Sequence, residues 1–216
     1  MSSLSGAQYG ADLPADSAAD ARQESDLLRK ARTGDRFAYG QIVRLYQDRI
    51  YNAMLRMVGD RDEARELTQE TFTRGLQKIE TFRGEASAYT WLFRIAMNLA
   101  ISQLRRVKRR RVFSLDGSDS PTPRRDDQAA SLLHRIEQQR QPAPDERLEA
   151  RERAEQVLAA LGRLDPEYRA VLVMRDIEGF DYQQMADLLS LPLGTLKSRL
   201  FRARVALRDE LLDYMR

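Results

Sequence analysis

Between Asp35 and Val58, apolar side chains recur at Phe37, Ile42, Leu45, Tyr46, Ile50, Tyr51, Met54, Leu55 and Val58. Spacings of three, four and five predict one helix with a buried stripe, capped by Asp35 and stopped at Gly59-Asp60. A shorter helix is predicted from Ser25 to about Gly34. A third runs from about Arg61 to Ile79, with Ala64, Leu67, Phe72, Leu76 and Ile79 as its core candidates. After the loop ETFRGEAS (80–87) comes YTWLFRIAMNLAISQLRRVKRR, which turns Trp91, Leu92, Ile95, Ala96 and Leu99 inward. Helices joined by such short turns predict a compact bundle.

The pattern fails between 113 and 145, where Pro121, Pro123, Pro142 and Pro144 accompany Asp-containing turn clusters; this segment reads as a flexible linker. Residues 1–22 are rich in Ala, Ser, Asp and Gly without a period, and read as a disordered extension. The helical period returns from Glu146 with Leu148, Val157, Leu158 and Leu161. Asp165-Pro166 then opens a helix carrying Val171, Leu172 and Met174, and Gly179 closes it. No strand pattern appears. The expected fold is all-α, with two small helical domains over 23–112 and 146–216 joined by 113–145.

The stretch DYQQMADLLSLPLGTLKSRLFRAR (181–204) holds two helical patterns separated by Ser190-Leu191-Pro192. Asp181 and Gln184 have capping-box spacing, and Tyr182, Met185, Ala186 and Leu189 form one stripe. In the second helix Leu196, Leu200, Ala203 and Leu207 face inward, while Thr195, Ser198, Arg199 and Arg202 repeat on the opposite side beside Lys197. A helix-turn-helix offers its second helix to the DNA major groove in this way, with Arg and Lys suited to guanine edges and phosphates. An amphipathic helix whose polar face merely meets water has the same period. The short turn, and the absence of any acid between Thr195 and Arg208, favour DNA.

Composition adds position rather than sum. The 216 residues carry a net charge of only +3, with 42% hydrophobic and 32% charged residues. Yet Arg105, Arg106, Lys108, Arg109, Arg110 and Arg111 crowd one helix end, after Tyr89, Trp91 and Phe93. Cations beside aromatics can hold a single strand by stacking, although each ring could equally serve the core. Cysteine is absent, which excludes disulfides and thiolate chemistry. His134 stands alone in the linker, and no carboxylates are paired as acid–base catalysis requires, so neither an enzyme nor a cofactor is expected. No stretch approaches the roughly 18 apolar residues of a membrane span, and no signal peptide is seen, so a cytoplasmic protein is expected.

The stretches 62–79, 81–106 and 181–207 together resemble the extracytoplasmic-function group of bacterial RNA polymerase sigma factors. The resemblance implies a dissociable initiation subunit that binds core polymerase, recognises minus-ten and minus-thirty-five promoter elements and promotes strand opening. It assigns Glu66, Gln69, Glu70 and Arg74 to the coiled coil of the polymerase's largest subunit, and the C-terminal domain to the flap of the second-largest. Phe82, Arg83, Gly84, Glu85 and Ala86 match a specificity loop that captures an unstacked base, with Asn98 near the same element. Tyr89, Trp91, Arg105 and Arg106 complete the expected minus-ten and melting surface. Lys197, Ser198, Phe201 and Arg202 match positions near minus-thirty-five bases, with Thr195, Arg199 and Arg204 at phosphates. An anti-sigma factor is a further expected partner. The rival readings are a stand-alone helix-turn-helix regulator and a helical module for an acidic protein.

Overall fold

The computed structural model describes residues 18–114, except 83 and 85, and residues 156–214. The linker assignment, His134 and the first turns of the helix expected from Glu146 fall outside these residues.

Helix α1 spans Ala18–Arg32 and α2 spans Arg36–Val58. The Asp35 carboxylate accepts from the backbone of Phe37 at 2.8 Å and of Ala38 at 3.0 Å, relieving the unpaired donors of the first turn. Gly59 ends α2 at φ 77°, a left-handed geometry that costs glycine little. Asp60 immediately caps α3, Arg61–Lys78, so the corner uses only two residues. A 3₁₀ turn, Ile79–Thr81, leads through the loop to α4, Ala88–Ser114. Ile42, Ile50, Met54, Met57, Leu92, Phe93 and Met97 close the core between α2 and α4.

The second unit begins with a helix α5 over 156–163, followed by α6, Pro166–Leu172. A π turn, Val173–Ile177, continues α6 and ends at Gly179, φ 75°. Helix α7, Tyr182–Leu189, carries the full capping box: Asp181 accepts from the Gln184 backbone, and Gln184 accepts from that of Asp181. Replacing Asp181 with alanine should cost about 1 kcal/mol in thermal unfolding, since the Gln184 N–H loses its carboxylate acceptor while the backbone-donated bond to Gln184 remains. Ser190 then adopts φ 53°, ψ 47°, and its N–H and that of Leu191 return to Ala186, which turns the chain within two residues of α8, Leu193–Tyr214.

Two expectations are corrected. Helix α1 begins at Ala18, inside the segment expected to lack structure, because Ala18, Ala19 and Ala21 are strong helix formers. Phe37, Leu45 and Leu76 are exposed by 74%, 57% and 41% rather than buried. Phe37 stands five residues before Ile42, which rotates it about 140° off the buried stripe. Among the described residues the two units pack together: α6 lies against α2 and α4, its π turn against α2, and α7 against α4.

Candidate nucleic-acid interface

Helix α8 divides cleanly. Leu196, Leu200 and Ala203 are 0–2% exposed against α6 and α7, while Thr195, Lys197, Ser198, Phe201, Arg202 and Arg204 are exposed. Phe201, at 70%, is too open to be a core residue. The Ser198 hydroxyl donates to the Thr195 carbonyl at 2.9 Å. Arg204 is held by Asp176 at 2.6 Å, and that bond raises its pKa further. Arg199, half-buried, reaches Glu167 at 3.1 Å. Arg202 is exposed and has no ion-pair partner among the described residues, and a guanidinium so placed can make a bidentate contact.

The loop before α4 is split. Gly84 is exposed at φ 78°, with nothing within 4 Å of where a side chain would begin, and Ala86 is exposed too. Arg83 and Glu85 lie outside the described residues. Phe82 and Tyr89, by contrast, are buried at 6% and 5%. Their expected display to a melted strand is therefore corrected for this arrangement. Phe82 packs on the half-buried Trp91 with ring centroids 5.2 Å apart. Tyr89 donates its phenol to Glu178 at 2.6 Å, and burial, then the Glu178 charge, raise its pKa far above the ordinary tyrosine value. The phenol is thus a permanent donor. Asn98 is exposed and makes no protein hydrogen bond among the described residues, so it does not serve a neighbouring carbonyl.

Between α3 and α4 runs a groove of about 640 Å³ lined by Glu66, Glu70, Arg74, Asn98 and Arg106. It unites residues that the sequence assigned to two different partners, polymerase and minus-ten DNA. Gln69 is exposed but not in the lining, and Glu70 and Arg74 pair at 2.6 Å. Arg105 is turned away from the groove toward the second unit, where it pairs with Glu167.

Sequence reading missed the residues joining the units. Arg49, Arg56 and Tyr89 surround Glu178, while buried Arg169 donates to the carbonyls of Met57, Gly162 and Leu164. Burial pushes the Arg169 pKa down to about 10, which leaves it charged at neutral pH. One signal was available: Arg169 precedes Leu172 and Val173 by three and four residues and so falls on the buried stripe of α6. Among the described residues no group of acidic or histidine side chains could hold a metal, and no helix is long and apolar enough to cross a membrane.

Comparison with known proteins agrees with this layout. The family model for Sigma-70 region 2 matches residues 42–110, and that for Sigma-70, region 4 matches residues 154–207. The chain is 31% identical over 195 residues to the RNA polymerase sigma-H factor of Pseudomonas aeruginosa, covering 90% of this chain and 96% of that protein. It is 35% identical over 185 residues to the ECF RNA polymerase sigma factor SigE of Mycolicibacterium smegmatis, covering 84% and 66%. Among solved structures, CnrH in complex with the cytosolic domain of CnrY shares the fold at a TM-score of 0.59 and 23% identity, over 89% of this chain and 98% of that one. The sigma factor RpoE, in complex with the anti-sigma factor NepR from Bartonella quintana, gives 0.57 at 23%, over 82% and 98%. Matches to both units disfavour a stand-alone helix-turn-helix regulator, which needs only the second.

Proposed function

We propose a division of labour between the two units of this chain, which belongs to the extracytoplasmic-function group of RNA polymerase sigma factors. As an alternative sigma factor it works with RNA polymerase and promoter DNA. Within that role, the unit around α2–α4 takes the minus-ten element as melted strand, and α8 reads the minus-thirty-five element as intact duplex. The chain is an initiation subunit and leaves phosphodiester chemistry to the polymerase, in the cytoplasm.

The observation that carries this reading is the exposed face of α8. Its hydroxyl, cationic and aromatic groups stand outward while the leucines of the same helix are sealed below. Lys197, Ser198, Phe201 and Arg202 take the base edges, and Thr195, Arg199 and Arg204 take phosphates. In the other unit Gly84 and Ala86, with Arg83 and Glu85 between and beside them, form the loop that captures a flipped base. Asn98, Trp91, Arg105 and Arg106 support the strand, with Phe82 holding the loop's base from within the core. Unstacking costs a few kcal/mol per base, which the contacts of this loop have to offset. Glu66, Gln69, Glu70 and Arg74 meet the coiled coil of the polymerase's largest subunit, and the C-terminal unit meets the flap of the second-largest. An anti-sigma protein is the expected negative regulator, as the complex of the similarly folded RpoE suggests.

Run-off transcription with core polymerase tests the reading: transcript should depend on adding the chain, and transcript independent of it on every candidate promoter would falsify the idea. A narrower measurement concerns Arg202→Ala. It should lose about 1–3 kcal/mol of discrimination at a single minus-thirty-five position. Equal weakening on all sequences would reassign Arg202 to phosphate.

A further inference from the structure

Helix α4 begins with two of its free backbone donors already claimed. The Thr90 N–H donates to a near neighbour, the Ser87 hydroxyl, at 3.1 Å, as in a local cap. The Ala88 N–H instead donates to the half-buried Glu24 carboxylate of α1 at 2.7 Å, across 64 residues of chain. Ala88 is wholly buried, so solvent cannot readily replace that acceptor. The carboxylate also faces the positive end of the α4 dipole. Helices α2, α3 and α7 start on Asp35, Asp60 and Asp181, each serving its own first turn. A cap borrowed from another helix does more than start α4: it ties the first residue of α4 to α1.

That residue follows directly on the loop to which base capture is assigned, and the entry to the loop is held too. The Phe82 N–H donates to the Ile79 carbonyl at 3.1 Å, its ring packs on Trp91, and the 3₁₀ turn Ile79–Thr81 lies against α1. Ala31 of α1 and Ile79 line one small cavity at that contact. Glu24 and Ala31 lie seven residues apart, about 10 Å along the helix axis. Helix α1 thus meets the loop's entry with its last turns and the loop's exit through Glu24. Between these anchors Gly84 and Ala86 are exposed, with Gly84 at φ 78°. The tip is open while both stems are tied to the same helix.

Resting on the sigma-factor reading for the loop's task, we propose that Glu24 is a positioning residue for minus-ten recognition. By holding the Ala88 N–H it sets the width of the loop's stem, and so the place where a flipped base meets the exposed tip. Glu24 itself touches no DNA. A loop already in its capturing shape takes the base without first having to order. One that is correct in a tenth of molecules captures about tenfold more weakly. Loss of the anchor therefore acts on base choice and strand opening, and leaves minus-thirty-five reading alone.

Two variants test the bond: Glu24→Gln keeps an oxygen acceptor at the same reach, and Glu24→Leu removes it. In the free chain, hydrogen–deuterium exchange over residues 82–90 should be about fivefold faster in Glu24→Leu than in wild type, with residues 50–57 unchanged. Glu24→Gln should stay near wild type. In run-off transcription with core polymerase, Glu24→Leu should lose about tenfold of its discrimination at the minus-ten base that the loop reads. Permanganate reactivity of melted thymines should appear more slowly by a similar factor, while discrimination at a substituted minus-thirty-five pair stays the same. A Glu24→Leu chain that keeps its minus-ten discrimination, or that loses activity equally on every promoter variant, overturns the proposal. So does Glu24→Gln as impaired as Glu24→Leu. If wild type itself yields no transcript on any candidate promoter, the sigma-factor reading falls, and the exchange comparison still decides whether Glu24 holds the loop.

Discussion

Replacing Gly75 with alanine is expected to destabilise the protein by about 2 kcal/mol, against the sign that helix propensity alone dictates. In an open helical position, Gly→Ala gains up to about 1 kcal/mol. At Gly75 an added Cβ would lie 2.5 Å from the Tyr39 hydroxyl and 2.9 Å from Cδ2 of Leu92. Neither neighbour can move freely. Leu92 is wholly buried, and the Tyr39 hydroxyl donates to the Phe72 carbonyl at 2.6 Å, one turn earlier on α3. Burial also holds the Tyr39 pKa above its ordinary value, so the phenol stays a donor. Overpacking costs about 1–3 kcal/mol, and breaking the buried bond adds a comparable amount. A double-mutant cycle with Tyr39→Phe checks the cause: removing the hydroxyl should make Gly75→Ala markedly less harmful in urea unfolding. Additive losses would mean that Tyr39 is not what the new methyl strikes.

Much of the fold was legible because its corners use local chemistry. Asp35, Asp60 and Asp181 announce helix starts and Gly59 a stop through bonds to their own neighbours, and Gly179 marks a stop by its left-handed φ. The outward face of α8 was legible for the same reason, since helical period fixes which side chains share a side. Period is a weaker guide when spacings of five are admitted, as Phe37 and Leu45 show. Nothing local announces that Glu178 will meet Arg49 and Arg56 from 129 and 122 residues away. The shared groove of Glu70 and Asn98 likewise depends on how α3 and α4 pair, which neither helix encodes alone. Tyr89 was read as a surface aromatic because its burial comes partly from the second unit.

Arg169→Met should cost about 3 kcal/mol and separate one unfolding transition into two. The Arg169 guanidinium donates to the Met57 carbonyl at the end of α2, to Gly162 at 2.6 Å, and to Leu164 at 3.3 Å. Two helix C-termini, α2 and α5, therefore point their partial negative ends at one buried cation, which needs no carboxylate. Methionine fills similar volume but offers no donor, so carbonyls oriented for Arg169 lose their partner at about 1–3 kcal/mol for each that stays dry. An opposing effect exists: burying a charge is expensive, and apolar replacement of whole buried ionic clusters can be neutral or stabilising. Here only one side of the interaction is removed and the carbonyls remain, so the loss dominates. Because Met57 belongs to the first unit and Gly162 and Leu164 to the second, the substitution also uncouples them. Calorimetry should resolve two transitions in Arg169→Met where wild type gives one. Arg169→Lys, with a single ammonium unable to span all three carbonyls, should fall between them. A neutral or stabilised Arg169→Met would mean that charge burial outweighs the bonds, and the junction would then rest on Glu178, the Arg105–Glu167 pair and the aromatic contacts.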